Sequence, residues 1–255
     1  MSAKVDMHLP VEPEGWYHIF NRGNGGQRIF FRNENYRFFL ARYAHYMNSY
    51  WDTYAYCLLP NHFHIAIRAK SIADILAAAM QDFTVVDRTF VRAVREDLPN
   101  LEDLANLAEG TLDLRNLADF VNLASDHAAL RHRLAAWIVR ERFRRFLLSY
   151  AKAINQQQGR SGSLLQKIFR RRAITTEGHL TTLIAYIHRN PLHHGITPDW
   201  EQYPWSSYRS FLSEQPTNLK RDEVLGWFEG TSAFVHAHRQ YTADWRMIQP
   251  LLMEE

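Results

Sequence analysis

The feature that most restricts the fold is a pair of β-prone runs with only two residues between them. Residues 53–59 (TYAYCLL) and 62–68 (HFHIAIR) are rich in aromatic and β-branched side chains, which favour extended backbone. Pro60 and Asn61 separate them, and both residue types are common in turns. This pattern predicts a β-hairpin, and it fixes which side chains of the second strand share a face.

Alternation along residues 62–68 divides the second strand into two faces. Phe63, Ile65 and Ile67 point one way, toward a core, whereas His62 and His64 point the other way together with Ala66 and Arg68. Two imidazoles on one strand face are close enough to share a divalent cation. Surface histidines are common, however, so the His-x-His pattern alone leaves an ordinary surface role open.

The order of predicted elements indicates an α+β fold. Residues 16–22 predict a strand, residues 36–50 a helix with one apolar stripe, and residues 53–68 the hairpin. Residues 143–154 predict an amphipathic helix, residues 169–174 a basic strand, and residues 179–190 a helix that stops before Pro191. The order β-α-β-β-α-β, followed by a helix, is that of a ferredoxin-like sandwich, an antiparallel sheet with helices.

A helical insertion is expected to interrupt this sandwich. We expect the first part of a catalytic domain at residues 1–70, an acidic helical insertion at 71–136, the second part at 137–212, and a C-terminal helical extension at 213–255. Residues 71–130 contain eleven acidic and four basic residues, net −7, whereas residues 131–195 contain thirteen basic and two acidic residues, net +11. A basic segment that also folds favours a polyanionic partner, although a solvated face that binds nothing remains the alternative.

The basic segment supplies the candidate DNA contacts. They are Arg144, Arg145, Lys167, Arg170, Arg171, Arg172 and Arg189. Phe169 could stack an unpaired base beside them. We expect about half of these residues to touch DNA and the others to solvate a helix or strand.

The last predicted core helix carries a second group of candidates. Tyr186 and Asn190 are four residues apart and therefore adjacent on its flank. A tyrosine packed at a core margin and an asparagine that ends a helix before a proline are the ordinary alternatives. His188, His193 and His194 surround this position in the sequence and could tune the tyrosine, but we expect a surface role for them.

Three motifs together resemble a known family. LLPNHFHI at residues 58–65, AYIHRNP at 185–191 and YPWSSY at 203–208 resemble the one-tyrosine transposases of insertion sequence 200-like elements, especially REP-associated tyrosine transposases. The resemblance spans residues 16–212, apart from the insertion. It implies a single-strand DNA endonuclease with Tyr186 as nucleophile and with His62, His64 and Asn190 holding Mg²⁺ or Mn²⁺.

Other functional classes remain as rivals. The same chemistry would serve a replication initiator or relaxase, and a nucleic-acid-binding module without catalysis would use the basic surface alone. One cysteine, Cys57, cannot form an internal disulfide and suits a core position. Without a signal peptide or an apolar run long enough to span a membrane, we expect a cytoplasmic monomer or homodimer. Its expected partner is single-stranded DNA with a hairpin.

Overall fold

The computed structural model describes residues 10–82, 117, 121 and 127–241. Most of the predicted insertion at residues 71–136 lies outside the described residues. Within the described part, four strands alternate with helices in an α+β arrangement, as the sequence predicts. The elements are β1 Trp16–Arg22, α1 Asn33–Met47, β2 Trp51–Leu59, β3 His62–Ala69, α2 Ile72–Asp82, α3 Ala128–Gln157, β4 Arg170–Ile174, α4 Glu177–His193, α5 Tyr208–Phe211, α6 Arg221–Trp227 and α7 Thr231–Gln240.

The strands form one antiparallel sheet in the order β2-β3-β1-β4. This order and direction are those of the ferredoxin-like sandwich. β1 is central and pairs with both β3 and β4. β2 and β4 lie at the two edges, and residues 203–207 cover part of the β2 edge, where Trp205 accepts a hydrogen bond from Leu58 and Ser207 donates one to Tyr56.

One face of the sheet packs against α1 and α3. Phe63 and Ile65 are buried there, and the Phe39 ring lies 5.1 Å from that of Phe63 and 4.9 Å from that of Phe146. Each such aromatic side chain contributes roughly 1.5–3 kcal/mol when fully buried. The helix α3 is continuous from Ala128, so the predicted end of the insertion at residue 136 lies inside it.

The opposite face packs against α4 and the C-terminal helices. Ala55, Cys57, Leu59 and Ala66 from the sheet join Leu183 of α4 in a second core. Small side chains on the strands let α4 approach closely. Cys57 is fully buried without a disulfide, in agreement with its predicted core position.

The prediction that α4 stops before Pro191 is wrong. The helix includes Pro191 and continues to His193, and the His194 amide still donates to the Asn190 carbonyl. A proline removes one backbone donor and disfavours the helical conformation of the preceding residue. In the last turn of a helix held by packing along its length, that penalty is small enough to be overcome.

A buried hydrogen-bond chain joins α4 to α7. His188 and His238 are fully buried, which corrects the expected surface position of His188. The His238 Nδ1 bonds to the Phe234 carbonyl at 2.7 Å and therefore donates. Its Nε2 then accepts from His188 Nδ1 at 2.8 Å, and His188 Nε2 lies 2.8 Å from the Ser207 hydroxyl. Burial lowers the pKa of both imidazoles, so both are neutral at pH 7.

We expect this chain to make folding sensitive to acid. Burial lowers the pKa of His238 to about 4, with the Phe234 carbonyl opposing and Arg189 reinforcing the shift. Between that pKa and the unfolded value near 6.5, the unfolded chain binds the proton more readily, so stability falls as pH falls through this window. The contribution is about 3 kcal/mol. Urea unfolding at pH 7.5 and pH 4.5 should show a smaller pH difference in His238→Leu than in the exposed control His236→Leu. Equal differences in the two variants would contradict the assignment.

None of the helices in the described ranges is long and apolar enough to cross a membrane.

Candidate metal centre and nucleophile

The register of the sheet gathers chemically active side chains on the face that meets α4. Directly paired residues of antiparallel strands project from the same face. Phe20 of β1 is paired with His64 on β3 and with Arg170 on β4. Arg22 of β1 is paired with His62. Three neighbouring strands, β3, β1 and β4, therefore present imidazole and guanidinium groups in adjoining rows on one face of the sheet.

Three histidines, which we call the histidine centre, could hold a metal ion. His62, His64 and His194 each offer one ring nitrogen, and these nitrogens all lie within 4.8 Å of one another. The His62 ring centroid lies 5.1 Å from that of His64 and 4.4 Å from that of His194. Imidazole nitrogen is a preferred ligand of divalent transition-metal ions such as Zn²⁺ and Fe²⁺, and it is the commonest metal ligand in proteins.

Hydrogen bonds behind the centre leave one nitrogen of each strand imidazole available. His62 Nδ1 donates to the Asn61 Oδ1 at 2.7 Å, and His64 Nδ1 lies 2.9 Å from His18 Nε2. The Nε2 atoms of His62 and His64 are buried without any hydrogen-bond partner among the described residues. A buried polar nitrogen without a partner is costly, and a cation bound to the tautomer with a free Nε2 lone pair would relieve that cost.

Electrostatics keep these imidazoles uncharged. Burial, followed by the nearby His194 and Arg22, lowers the pKa of His62 to about 3. Burial also holds the pKa of His64 well below its usual range, with His18 reinforcing it. A neutral imidazole has the lone pair that a metal ligand needs, so both residues are in the ligating form at neutral pH.

His194 reaches the centre because α4 continues past Pro191. It lies eight residues after Tyr186, a little over two helical turns, and its ring packs beside that of His62. The sequence interpretation allowed His194 to tune the tyrosine site but favoured a surface role. His194 is exposed, but it is also a candidate ligand.

Asn190, the predicted third ligand, has a structural hydrogen bond. It is fully buried, and its Nδ2 donates to the Tyr186 carbonyl at 2.9 Å. Its Oδ1 is buried with no hydrogen-bond partner among the described residues. The oxygen is therefore still available to a cation, and the ligand role of Asn190 stays a prediction.

Tyr186 lies against the same group of imidazoles. It is only 6% exposed, and its ring centroid lies 5.8 Å from that of His64 and 6.3 Å from that of His18. His193 stacks on its other side at 5.7 Å. The helix and the sheet thus bring the predicted nucleophile and two predicted ligands, His62 and His64, into one site.

The arginines of β4 divide between the two faces of the sheet. Arg170 and Arg172 are half-buried on the face of the histidine centre, paired with Phe20 and His18. Arg171 points to the opposite face, where it is 4% exposed and lies 5.2 Å over the Phe169 ring. Phe169 is itself buried, so it does not offer a stacking surface for a base.

The other predicted DNA contacts lie apart from this face. Arg144 and Arg145 of α3 both bond Glu141, at 2.7 and 2.9 Å, in the layer behind the opposite face of the sheet. Arg189 donates to the His238 carbonyl at 2.8 Å and lies over the Trp200 ring, so it packs against α7 instead of pointing into solvent. Lys167 is exposed in the loop before β4.

Comparisons with known proteins give one match among solved structures. No family model matches the chain, and no curated protein matches it. The solved structure is a REP-associated tyrosine transposase bound to a REP hairpin, 13% identical over 85% of this chain and 89% of that chain, with a TM-score of 0.43. A likeness at this level carries no conclusion about the activity of this chain, which we infer from its residues alone.

Proposed function

We propose that this chain is a metal-dependent endonuclease and strand transferase for single-stranded DNA, with Tyr186 as nucleophile. The observation that carries the proposal is the convergence of His62, His64 and His194 around one point with Tyr186 packed against His64. The strand histidines and the helix tyrosine are more than 100 residues apart in the chain, and a binding module has no need to bring them together.

The residues of the site fit a divalent ion. His62, His64 and His194 would hold it, with the Asn190 oxygen as a further candidate ligand, because their nitrogen lone pairs are buried or converging. Mn²⁺ or Mg²⁺ would neutralise charge on the scissile phosphate and orient it. Imidazole donors suit Mn²⁺ better than Mg²⁺, which prefers oxygen ligands.

The proposed reaction exchanges one phosphodiester for another. The Tyr186 oxygen forms a bond to phosphorus as the bond from phosphorus to the 3′ oxygen breaks. The phenol loses its proton and the 3′ oxygen gains one, leaving a 5′-phosphotyrosine and a free 3′-hydroxyl. Because a phosphodiester is retained, rejoining needs no nucleotide hydrolysis. This chemistry would serve DNA transposition or the processing of chromosomal repeats, and equally a replication initiator or relaxase.

Incubation of the protein with Mn²⁺ and a labelled single-stranded hairpin oligonucleotide tests this function. Denaturing electrophoresis should show a covalent protein–DNA band that a chelator prevents, and mass mapping should place the adduct on Tyr186. Binding without any cleavage or adduct, across Mn²⁺ and Mg²⁺, would favour the non-catalytic nucleic-acid-binding module instead.

We expect His194, more than Asn190, to complete the metal centre. His194→Ala removes an exposed imidazole and should weaken Mn²⁺ binding about 10-fold or more, since even outer partners of metal ligands have effects of this size. Mn²⁺ titration followed by electron paramagnetic resonance measures this directly. Asn190→Ala is the comparison variant, and a larger loss in Asn190→Ala would restore the ligand set predicted from the sequence.

The path of DNA can be tested by replacing two groups of arginines, for which we expect different effects on DNA binding. Replacing Arg170 and Arg172 by glutamine should lower the salt dependence of DNA binding by roughly two units of slope, about one for each lost phosphate contact. Replacing Arg144 and Arg145 should change the slope little, because both already bond Glu141. Fluorescence anisotropy over a range of salt concentrations measures both slopes. A larger effect of the second pair would place the DNA along α3.

A further inference from the structure

Arg22, the last residue of β1, lies beside the histidine centre. It is paired directly with His62 in the sheet, so the two Cβ atoms are about 5 Å apart on the same face. Arg22 is exposed at the strand end. A cation in this position opposes binding of a metal ion unless an anion joins them.

A second guanidinium faces the same place. Arg170 is paired with Phe20, one diagonal step from Arg22 on the same face. Burial lowers the Arg170 pKa, and the charge of Arg22 lowers it further. The two cations are therefore within electrostatic range of each other, and like charges at such range repel.

In the part of the chain that the structure describes, neither guanidinium has an acidic partner. Among the described residues, no carboxylate forms an ion pair with Arg22 or Arg170. Elsewhere in the same part of the chain such pairs do form, and Arg68 on β3 lies 3.9 Å from Glu14. Two cations, unpaired among the described residues, therefore lie beside three candidate metal ligands. An anionic ligand would balance the charge of the two arginines and of a metal ion at this place.

We infer that Arg22 and Arg170 form a phosphodiester-binding site that adjoins the histidine centre, with one phosphate of the DNA between Arg22 and the ion held by the histidines. The inference rests on the proposed function and adds the residues that receive the reacting phosphate. An arginine fork can donate two parallel hydrogen bonds to phosphate oxygens. The phosphate would turn the repulsion between Arg22 and the metal ion into two attractions.

This arrangement predicts opposite effects of Arg22 in the absence and presence of DNA. Without DNA, Arg22→Gln removes a repulsive charge and should raise Mn²⁺ affinity a few-fold. With DNA, the same variant should lose the mutual strengthening of metal and DNA binding, because binding free energies are coupled reciprocally. A solvated strand-end cation with no ligand would give neither effect.

The experiment uses the full chain carrying Tyr186→Phe, so that DNA stays intact. Mn²⁺ is titrated by electron paramagnetic resonance with and without a short single-stranded oligothymidylate. In this parent we expect the oligonucleotide to tighten Mn²⁺ binding about 10-fold, and in Arg22→Gln less than about 2-fold. Arg170→Gln should shift in the same direction. The matched control is Arg68→Gln, which removes an equal charge from the same sheet face near its other end and should behave like the parent.

Two results would overturn the inference. One is that oligothymidylate tightens Mn²⁺ binding in Arg22→Gln as strongly as in the parent. The other is that this tightening is lost equally in Arg22→Gln and Arg68→Gln, because the effect would then come from the total charge of the protein. Failure of the parent to bind Mn²⁺ would instead contradict the proposed metal centre. In that case the affinity for oligothymidylate, measured without metal, still tests Arg22. An equal decrease of this affinity in Arg22→Gln and in the control Arg68→Gln would contradict a phosphate site at Arg22.

Discussion

Replacing Tyr186 by phenylalanine is expected to abolish the covalent protein–DNA adduct and to reduce strand cleavage by roughly 10⁴-fold or more, the scale seen when an enzyme loses its nucleophile. Only one hydroxyl is removed from a ring that stays packed between His64 and His193. DNA affinity and metal affinity should therefore be retained. Single-turnover cleavage of a labelled hairpin, with adduct detection by denaturing electrophoresis, measures the loss.

Tyr208→Phe is the matched control for this experiment. Tyr208 is 1% exposed in the same core, and its hydroxyl is buried with no hydrogen-bond partner among the described residues. Losing that hydroxyl should leave cleavage and adduct formation unchanged. An adduct on a different tyrosine, or cleavage by Tyr186→Phe at the parent rate, would show that Tyr186 is not the nucleophile.

Replacing His62 and His64 together by alanine is expected to lower Mn²⁺ affinity by more than about 100-fold, because outer-shell changes alone cost 10–100-fold. Cleavage should fall by about 10³-fold, the upper scale for loss of one preorganised electrostatic contact in a transition state. DNA affinity should be largely kept, because phosphate contacts by arginine supply most sequence-independent binding. Mn²⁺ titration and single-turnover cleavage give the two values.

Folding must be separated from metal binding in that double variant. His64→Ala also removes the hydrogen bond to buried His18, which costs about 1–3 kcal/mol when a polar group is left unpaired. His62→Ala alone changes a half-buried position and should still lose most of the Mn²⁺ affinity. His45→Ala, at an exposed position of α1, is the control. Metal-independent cleavage at full rate by the double variant would contradict a metal role for both histidines.

The strand part of the site could be predicted because β-structure has a period of two. Once the run at residues 62–68 is a strand, His62 and His64 must share a face, and Phe63 and Ile65 must face the core. The structure confirms this division. The topology of the sheet could likewise be predicted from the order of elements, because few folds accommodate β-α-β-β-α-β with short connections.

The contributions of other elements depend on contacts that the local pattern does not encode. His18 and Arg22 lie on β1, and only the pairing of β1 with β3 brings them to His64 and His62. His194 was not among the predicted ligands. It lies beside His62 because α4 continues past Pro191, where packing on the sheet outweighs the lost backbone bond. The register of β4 on β1 decides which face of the sheet Arg171 points to. Three consecutive arginines do not reveal this register, because every position carries the same side chain.

The arginines of β4 also bear on self-association. β4 is an edge strand that pairs only with β1 among the described residues, so its outer backbone groups could template addition of a strand from another molecule. Charged side chains along an edge discourage such pairing. We therefore expect Arg170 and Arg172 to discourage edge-to-edge pairing between molecules as well as to face the proposed DNA path. Their neutral variants should be examined by light scattering before any loss of DNA binding is assigned to a missing phosphate contact.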